Sequence, residues 1–227
     1  MIKKMLFDGR VLMGVSVISD GSMRFFGEGE ESDIIKNQEK LGGIVGLSGS
    51  RIARIRTIYD GRNEFTNYQE ITEKNISDFA IEKSEKEIPV TDGLVTKCFD
   101  VGILLPLADC LGIVVYDEKR KIVGLLHAGR HNVEQLGPKK FVDNLVNNHN
   151  CEAKDLKVFY SPYSVDYEIT KNNKKMGEFA TEQLLNAGVL IDNITDLKID
   201  TVSNEIYPSH SNGDTKNRFA IIVRMID

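Results

Sequence analysis

The stretch LADCLGIVVYDEKRKIVGLLHAG, residues 107–129, decides the centre of the fold. Two apolar runs, residues 111–116 and 121–127, flank the polar residues DEKR, a length and composition typical of a short β-hairpin loop. If Tyr116 pairs with Lys121, the same register places Cys110 directly opposite His127. Opposed residues of an antiparallel pair share a face, with Cβ atoms roughly 4.5–5.5 Å apart. The sequence therefore predicts a hairpin that brings a thiol and an imidazole together.

The chemistry of this pair has two interpretations. Cysteine and histidine are common zinc ligands, and an ion would fit between them. A free cysteine is also often a small buried hydrophobe, and a lone histidine is often structural. Asp109, which precedes the cysteine, has the same ambiguity: it could orient a ligand or accept a proton, or it could serve a turn. The residues alone leave these alternatives open.

Composition narrows the class of partner. The 227-residue chain has a net charge of −5 with acidic and basic residues interleaved, so no basic stripe favours nucleic acid and no polybasic cluster favours a membrane. No apolar run is long enough for a signal peptide or a membrane span. Three cysteines without paired spacing favour a reducing compartment. We expect a cytoplasmic protein that binds a small molecule; assembly as a homo-oligomer stays open.

Hydrophobic periodicity predicts an α+β fold with central mixed β-sheets flanked by helices, in a single compact domain over residues 1–227. Ser32 is expected to cap a helix that Gly42 and Gly43 end. Residues 60–88 are expected to form a polar, solvated excursion. The sequence lacks the glycine-rich and nucleophile-elbow motifs of dinucleotide-binding, P-loop and α/β-hydrolase proteins. The predicted strands are residues 11–18, 44–47, 52–58, 101–107, 156–160 and 218–225, and the predicted helices are 33–41, 76–81, 139–147 and 176–187.

Several short motifs resemble those of one known family. In order they are TDGLVT (91–96), PLADCLGIVVYD (106–117), HAG (127–129), SP with a following YEI (161–169), LLNAGV (184–189) and SH with a later NRFAIIV (209–223). This series resembles the multicopper-laccase-domain family, whose members are also described as purine nucleoside phosphorylases and peptidoglycan editing factors. The resemblance runs from about Ser32 to the C-terminus. ADC and HAG at their spacing are its most specific elements.

The resemblance implies a zinc site, with copper as a softer alternative. In the family a histidine on an early strand, the cysteine of ADC and the histidine of HAG hold the ion; the last two carry over as Cys110 and His127. The place expected for the first, just after residues 44–47, holds Ser48. Because a catalytic zinc ordinarily takes three protein ligands, His131 and His210 are candidate substitutes.

Other family positions also differ. HAGWRG of the family is HAGRHN here, which puts Arg130 and His131 in place of tryptophan and arginine. A pair of arginines near the end is replaced by Ser211 and Asn212, and an early arginine is missing near Ile18. Phosphate-binding cations are therefore expected at other positions, with Arg130 and Arg218 as local candidates.

The resemblance implies a metal-dependent enzyme of purine nucleoside metabolism, carrying out phosphorolysis of adenosine- or inosine-type nucleosides and adenosine deamination. One alternative is a peptidoglycan-editing hydrolase or oxidase that acts on a cell-wall nucleotide precursor. Another is a family member that has lost catalysis and serves as a binding protein. Retention of both hairpin ligands favours the enzyme. The candidate catalytic residues are Cys110, His127 and Asp109, and the candidate contacts to nucleoside and phosphate are Arg130, His131, His210 and Arg218.

Overall fold

The strands of the chain form two large mixed sheets and one two-stranded pair, in a computed structural model that describes residues 1–24, 31–59, 61–169 and 173–227. In spatial order, the first sheet contains β1 (Ile2–Leu6), β2 (Val11–Val15), β13 (Phe219–Met225), β6 (Gly102–Leu107) and β3 (Ile52–Arg54). The second contains β12 (Ile194–Thr195), β9 (Lys157–Tyr160), β7 (Leu111–Asp117), β8 (Ile122–Ala128), β5 (Gly93–Thr96) and β4 (Tyr68–Ile71). The short strands β10 (Glu168–Ile169) and β11 (Lys174–Lys175) pair with each other.

Helices cover the outer faces of the two sheets. An apolar core with residues of both sheets lies between them. A second core lies beneath α4 (Gly137–His149) and α5 (Met176–Asn186), and a third beneath α1 (Glu31–Ile44). The remaining helices are short: α2 (Ile76–Phe79) and α3 (Arg130–Glu134). Within the described ranges, no helix is both long and apolar enough to cross a membrane. The predicted α+β fold with mixed sheets flanked by helices is confirmed.

The central strands β6, β7 and β8 are buried along their whole length. In β7, Val114 and Tyr116 face the other sheet, whereas Ile113 and Val115 face the helices. Because side chains of a strand alternate between faces, a strand covered on both sides needs an unbroken apolar run, which is what this sequence provides.

The hairpin forms, but the predicted register is wrong by two residues. Tyr116 pairs with Val123, and His127 pairs with Gly112 instead of Cys110. The turn has the expected four residues but lies one position later, at 118–121, where Lys121 adopts a left-handed φ of 52°. Cys110 therefore lies just before β7 and outside the ladder.

The first helix differs from its prediction at both ends. Ser32 lies inside α1, and the helix continues through Gly42 and Gly43 to Ile44. A Cβ at Gly42 would lie 2.1 Å from Cδ1 of Ile52, so this glycine allows the helix to pack closely on β3. The signal that ends the helix is Gly46, which has a left-handed φ of +76°. The predicted strand at residues 44–47 is therefore wrong.

In other segments, hydrophobic periodicity predicts the helices correctly. The predicted helix at 139–147 is α4, which begins two residues earlier, at Gly137 and Pro138; proline fits the first turn of a helix. The predicted helix at 176–187 is α5, followed by Gly188 at a φ of +96°. Strand β2 ends at Val15, and Ile18 starts a short 3-10 turn.

Residues 61–88, expected as a solvated excursion, contribute buried structure. Strand β4 extends the second sheet by pairing in parallel with β5. Phe79 and Ile88 are at most 2% exposed and belong to the core between the sheets. Arg62 reaches back to Asp92 at 2.6 Å in a largely buried ion pair. Residue 60, within the expected excursion, lies outside the described residues.

Candidate functional site

Cys110 and His127 meet at the open end of the β7–β8 hairpin. His127 follows Leu125 by two positions on the same face, so its ring points between the sheets, and it is 5% exposed. A Cβ at Gly129 would lie 2.7 Å from Cε1 and 3.2 Å from Nε2 of His127, and 3.3 Å from Sγ of Cys110. Both side chains thus pack against one glycine, which leaves no room for a side chain there. The predicted proximity exists, although neighbouring strand ends create it and not cross-strand pairing.

Both side chains line a cavity of about 380 Å³, within the range of roughly 300–1,000 Å³ typical of small-molecule sites. Loops from both sheets converge here, because the cavity lies where several strands end. Its walls combine an apolar and aromatic part with a strongly basic part. The lining residues are Arg24, Thr57, Tyr59, Pro106, Leu107, Ala108, Asp109, Cys110, His127, Arg130, Tyr167, Met176, His210, Ser211 and Arg218.

The imidazole of His127 is neutral at physiological pH. Burial lowers its pKa from 6.5 to about 3, and the positive charges of Arg24 and Arg62 act in the same direction. A neutral imidazole keeps a nitrogen lone pair available to a metal ion or a hydrogen-bond donor. His127 is therefore suited to be a ligand or an acceptor, and not a general acid.

The half-buried thiol of Cys110 is protonated in the absence of a metal. Burial and the neighbouring Asp109 raise its pKa to about 11, against the opposing effects of Arg218, of a hydrogen bond with Tyr59 and of Arg130. The thiolate is the form that attacks electrophiles and binds metals. The surroundings of Cys110 therefore do not favour that form at neutral pH.

Asp109 connects the hairpin to the segment before β13. It adopts a left-handed φ of 68°, and its carboxylate accepts hydrogen bonds from Thr201 Oγ1 at 2.7 Å, Ser209 Oγ at 3.2 Å and the Ser211 amide at 2.7 Å. Two of these donors flank His210, which lines the cavity. Asp109 thus holds the loop that presents His210.

Three guanidinium groups border the cavity. Arg130 and Arg218 were expected from the sequence to bind phosphate, and the structure adds Arg24. Arg24 donates to the Thr57 carbonyl at 2.5 Å and pairs with Glu85 at 3.0 Å. Burial and the charge of Arg24 lower the pKa of Arg218. Like charges held this close favour an anion between them.

Three other positions singled out from the sequence lie outside this cavity. Ser48 is exposed before a short 3-10 turn and does not line the cavity. The ring of His131 stacks on Phe65 at 4.7 Å between centroids, and its Nε2 lies 3.3 Å from the Arg130 guanidinium. Ile18, near which an early arginine was sought, is 49% exposed in its turn.

The donor atoms at the cavity suit a transition metal, since a thiolate and an imidazole are the soft and borderline ligands that zinc and copper accept. Both side chains approach Gly129 and line the same cavity. In the described part of the chain, however, no third histidine, cysteine, aspartate or glutamate joins them.

A larger and more open cavity, of about 600 Å³, lies on the surface around Arg62, Asn67, Tyr68 and Asn144. Its guanidinium is neutralised by Asp92 and covers the ring of Phe65 at 4.6 Å. Histidine and cysteine are absent from its described lining. Cys110 and His127, singled out from the sequence, therefore line the smaller cavity and not this one.

Comparison with protein families matches residues 26–174, more than half of the chain, to the family described as multi-copper polyphenol oxidoreductase laccase. Three relatives are named purine nucleoside phosphorylase. The protein of Borreliella burgdorferi is 34% identical over 42% of this chain and 43% of its own. The Campylobacter jejuni protein is 28% identical over 60% of this chain and 67% of its own length. The Staphylococcus saprophyticus protein is 26% identical over 74% of this chain and 64% of its own length. The chain thus spans less than half of the first relative and about two thirds of the others.

Solved structures share the fold at low sequence identity. The hypothetical protein YfiH of Bacillus licheniformis superposes with a TM-score of 0.81 at 16% identity, covering 95% of this chain and 93% of that protein. YlmD of Geobacillus stearothermophilus gives 0.81 at 18% identity, with coverage of 96% and 92%. The complete fold, with both sheets and their helices, is therefore shared.

Proposed function

Because the chain belongs to the multi-copper polyphenol oxidoreductase laccase family, we propose that its Cys110–His127 cavity binds a purine nucleoside and cleaves it by phosphorolysis. One observation carries the proposal: a single small-molecule cavity combines a thiol–imidazole pair, three guanidinium groups and an aromatic wall. The names of the relatives support the nucleoside as substrate class.

The basic wall is what favours phosphorolysis over deamination, since deamination uses water and needs no anion site. In phosphorolysis a phosphate oxygen bonds to C1′ of the pentose while the bond from C1′ to N9 breaks. The electron pair stays on the purine, which leaves with a proton from solvent, and the products are free base and pentose 1-phosphate. Arg130 and Arg218 hold the phosphate in this scheme, because guanidinium groups bind phosphate through paired hydrogen bonds.

The other wall binds the nucleoside. Tyr59, Tyr167 and Met176 offer aromatic and apolar surface to the purine. His210 contacts the pentose hydroxyls, and Asp109 is a positioning residue that fixes the loop carrying His210. A metal ion held by Cys110 and His127, zinc or copper, would supply Lewis acidity at this site. A cell-wall nucleotide precursor, which adds phosphates, a sugar and a peptide to the nucleoside, exceeds the cavity of about 380 Å³.

The test is product analysis by chromatography. Adenosine, inosine and guanosine are incubated with the protein, with and without phosphate, alongside Cys110→Ala from the same preparation. The proposal predicts free purine and pentose 1-phosphate in equal amounts, only when phosphate is present and only with the unaltered chain. Conversion of adenosine to inosine without phosphate would indicate deamination instead. Base release that ignores phosphate, or no consumption of any nucleoside, would overturn the proposal.

A further inference from the structure

The guanidinium of Arg130 must be held at the cavity if it is to bind phosphate there. Its side chain borders the cavity but is exposed, and it begins the short helix α3 directly after the hairpin. A long, exposed side chain has several rotatable bonds and loses their freedom when it binds a ligand. A neighbour that already fixes the guanidinium lowers that cost.

The next residue, His131, supplies such a contact. Nη2 of Arg130 lies 3.3 Å from Nε2 of His131. A guanidinium has only N–H donors, so the imidazole nitrogen is the acceptor and carries no proton. The lining of the cavity includes Arg130 and does not include His131. His131 therefore meets the cavity through Arg130.

Aromatic neighbours fix the ring of His131. It stacks on Phe65, with 4.7 Å between centroids and 23° between ring planes, and its centroid lies 5.9 Å from that of Tyr59. Phe65 is 7% exposed, and the guanidinium of Arg62 lies over its ring at 4.6 Å. Packing on a buried ring therefore sets the position of the acceptor nitrogen.

Hydrogen bonds join the backbone of Phe65 to the region of α3. The Phe65 amide donates to Oε1 of Gln135 at 2.9 Å, and its carbonyl accepts from Nδ2 of Asn132 at 2.5 Å. Asn132 lies within α3 and is 2% exposed, and Gln135 directly follows the helix. The stacked ring is thus tied to the same helix that carries Arg130 and His131.

A neutral acceptor suits an anion site better than a carboxylate does. A carboxylate would hold the guanidinium but would also offset its charge and repel phosphate. Arg218, the other candidate for phosphate, donates to the carbonyls of Thr215 at 3.3 Å and Asn217 at 2.6 Å, which carry no charge either. The neutral imidazole of His131 orients Arg130 and leaves its positive charge to the anion.

We propose that His131 is a positioning residue of the anion site, whose Nε2 holds the Arg130 guanidinium in the orientation that binds phosphate. Its part in phosphorolysis rests on the proposed function, but its effect on phosphate affinity can be measured without any nucleoside. The sequence suggested His131 as a metal ligand or a direct contact to the substrate. In this arrangement its role is indirect.

The test is a double-mutant cycle, with binding of inorganic phosphate measured by calorimetry in the absence of nucleoside. The cycle compares the unaltered chain, His131→Phe, Arg130→Gln and the double variant. His131→Phe keeps a ring for stacking and removes the acceptor, so it should weaken phosphate binding by about three- to tenfold, the effect of one hydrogen bond. In the Arg130→Gln background the same change should have no effect, because the residue through which His131 acts is gone.

His131→Gln is the complementary variant, since its amide oxygen can accept from Arg130 although the ring is lost. It should bind phosphate more tightly than His131→Phe and more weakly than the unaltered chain. In steady-state kinetics, His131→Phe should raise the KM for phosphate and leave the KM for nucleoside within about twofold. Circular dichroism of each variant confirms that the fold is retained.

Equal phosphate affinity in His131→Phe and the unaltered chain would overturn the inference, as would the same loss with and without Arg130. Weaker binding by His131→Gln than by His131→Phe would also overturn it, and so would an unaltered chain that binds no phosphate. Phosphorolysis with a phosphate affinity that does not depend on His131 would refute this inference alone. Phosphate binding that depends on His131, without nucleoside cleavage, would refute the proposed function alone.

Discussion

The two ends of the β7–β8 hairpin each hold a cysteine and a buried histidine, in different surroundings. At the open end, Cys110 and His127 face a cavity whose charged wall is mainly arginine. At the turn end, Cys151 is 3% exposed within the core beneath α4 and α5. Nδ1 of His149 lies 3.9 Å from a carboxylate oxygen of Glu70. Arg120 in the turn donates to the Asn150 carbonyl at 2.7 Å and so connects the turn to this second pair.

The comparison shows that burial alone does not mark a functional pair. Burial raises the pKa of both thiols, and a neighbouring carboxylate raises it further, Asp117 to about 12 at Cys151 and Asp109 to about 11 at Cys110. Two cations oppose the shift at each thiol. The two ends differ in access instead, since Cys151 is 3% exposed in the core whereas Cys110 lines a cavity that a small molecule can enter. Substitutions at matched positions can test this difference.

The largest effect is expected for the two cysteines. Cys110→Ala removes a donor that touches the substrate cavity, so we expect phosphorolysis to fall by about 100-fold or more. Cys151→Ala should keep kcat/KM within about twofold and lose stability instead, by roughly 1–3 kcal/mol, because it leaves a small hole in the core. Steady-state kinetics and urea unfolding measure the two quantities. Equal losses of activity in both variants would remove the distinction between the ends.

A smaller loss is expected at Gly129. A Cβ there would lie 2.7 Å from Cε1 of His127 and 3.3 Å from Sγ of Cys110, so Gly129→Ala must displace the pair. We expect kcat/KM to fall about tenfold or more, since small misplacements of reacting groups are costly. Gly43→Ala, where the added Cβ meets nothing within 4 Å, is the control. It should leave activity unchanged and stabilise α1 by about 0.5–1 kcal/mol. Full activity in Gly129→Ala would show that the pair is not used.

Arginines at the two ends should differ in their effect on phosphate. Loss of a charged hydrogen bond costs about 1.5–3 kcal/mol, so Arg130→Gln should raise the KM for phosphate about tenfold or more. The KM for nucleoside should stay within about twofold. Arg120→Gln, at the turn end, should change neither value. Steady-state kinetics give the ratio of the phosphate KM to the nucleoside KM for each variant. An unchanged phosphate KM in Arg130→Gln would show that phosphate does not bind at Arg130.

The smallest effect concerns pH and stability. The pKa of His127 is about 3 in the folded chain and 6.5 ordinarily. Between those values the unfolded chain binds a proton that the folded chain does not, so stability falls as pH drops below about 6.5. Each pH unit then costs up to about 1.4 kcal/mol. Urea unfolding of metal-free protein at pH 7 and pH 5 should show a smaller loss in His127→Gln than in the unaltered chain.

His149 is the matched control for that measurement. Burial lowers its pKa too, but Glu70 opposes the shift. His149→Gln should therefore reduce the pH-dependent loss of stability less than His127→Gln does. A larger reduction in His149→Gln would contradict the assignment of the stronger perturbation to the open end.

The sequence predicted correctly those elements whose hydrophobic pattern fits only one kind of secondary structure. Continuous apolar runs predicted β6, β7 and β8, and helical spacing predicted α4 and α5. The hairpin register could not be obtained this way. A shift of two residues leaves every side chain on its own face, so the apolar pattern fits both registers, and only the turn, with Lys121 at a φ of 52°, decides between them. Helix α1 was misjudged because Gly42 is required by packing on Ile52 and not by a helix end.

The site was predictable in its centre and not at its edges. Cys110 and His127 flank one hairpin, so local pattern was enough to bring them together. Tyr59 and Arg24 reach the cavity from segments distant in sequence, with no periodicity that points to them. Tyr59 does follow the predicted strand at residues 52–58, and positions after strand ends were the available signal. Ser48 was chosen because a strand was placed at 44–47, where the structure has the end of α1 and its stop.

The central claim is that the open end of the hairpin, and not the turn end or the larger surface cavity, binds the substrate. The most direct measurement is a crystal structure of the protein with inosine and sulfate, an unreactive mimic of phosphate. We predict nucleoside density in the cavity between Tyr59, Cys110 and His127, with sulfate on Arg130 and Arg218. Nucleoside density around Arg62 and Asn67, or a cavity that stays free of nucleoside at saturating inosine, would contradict the account.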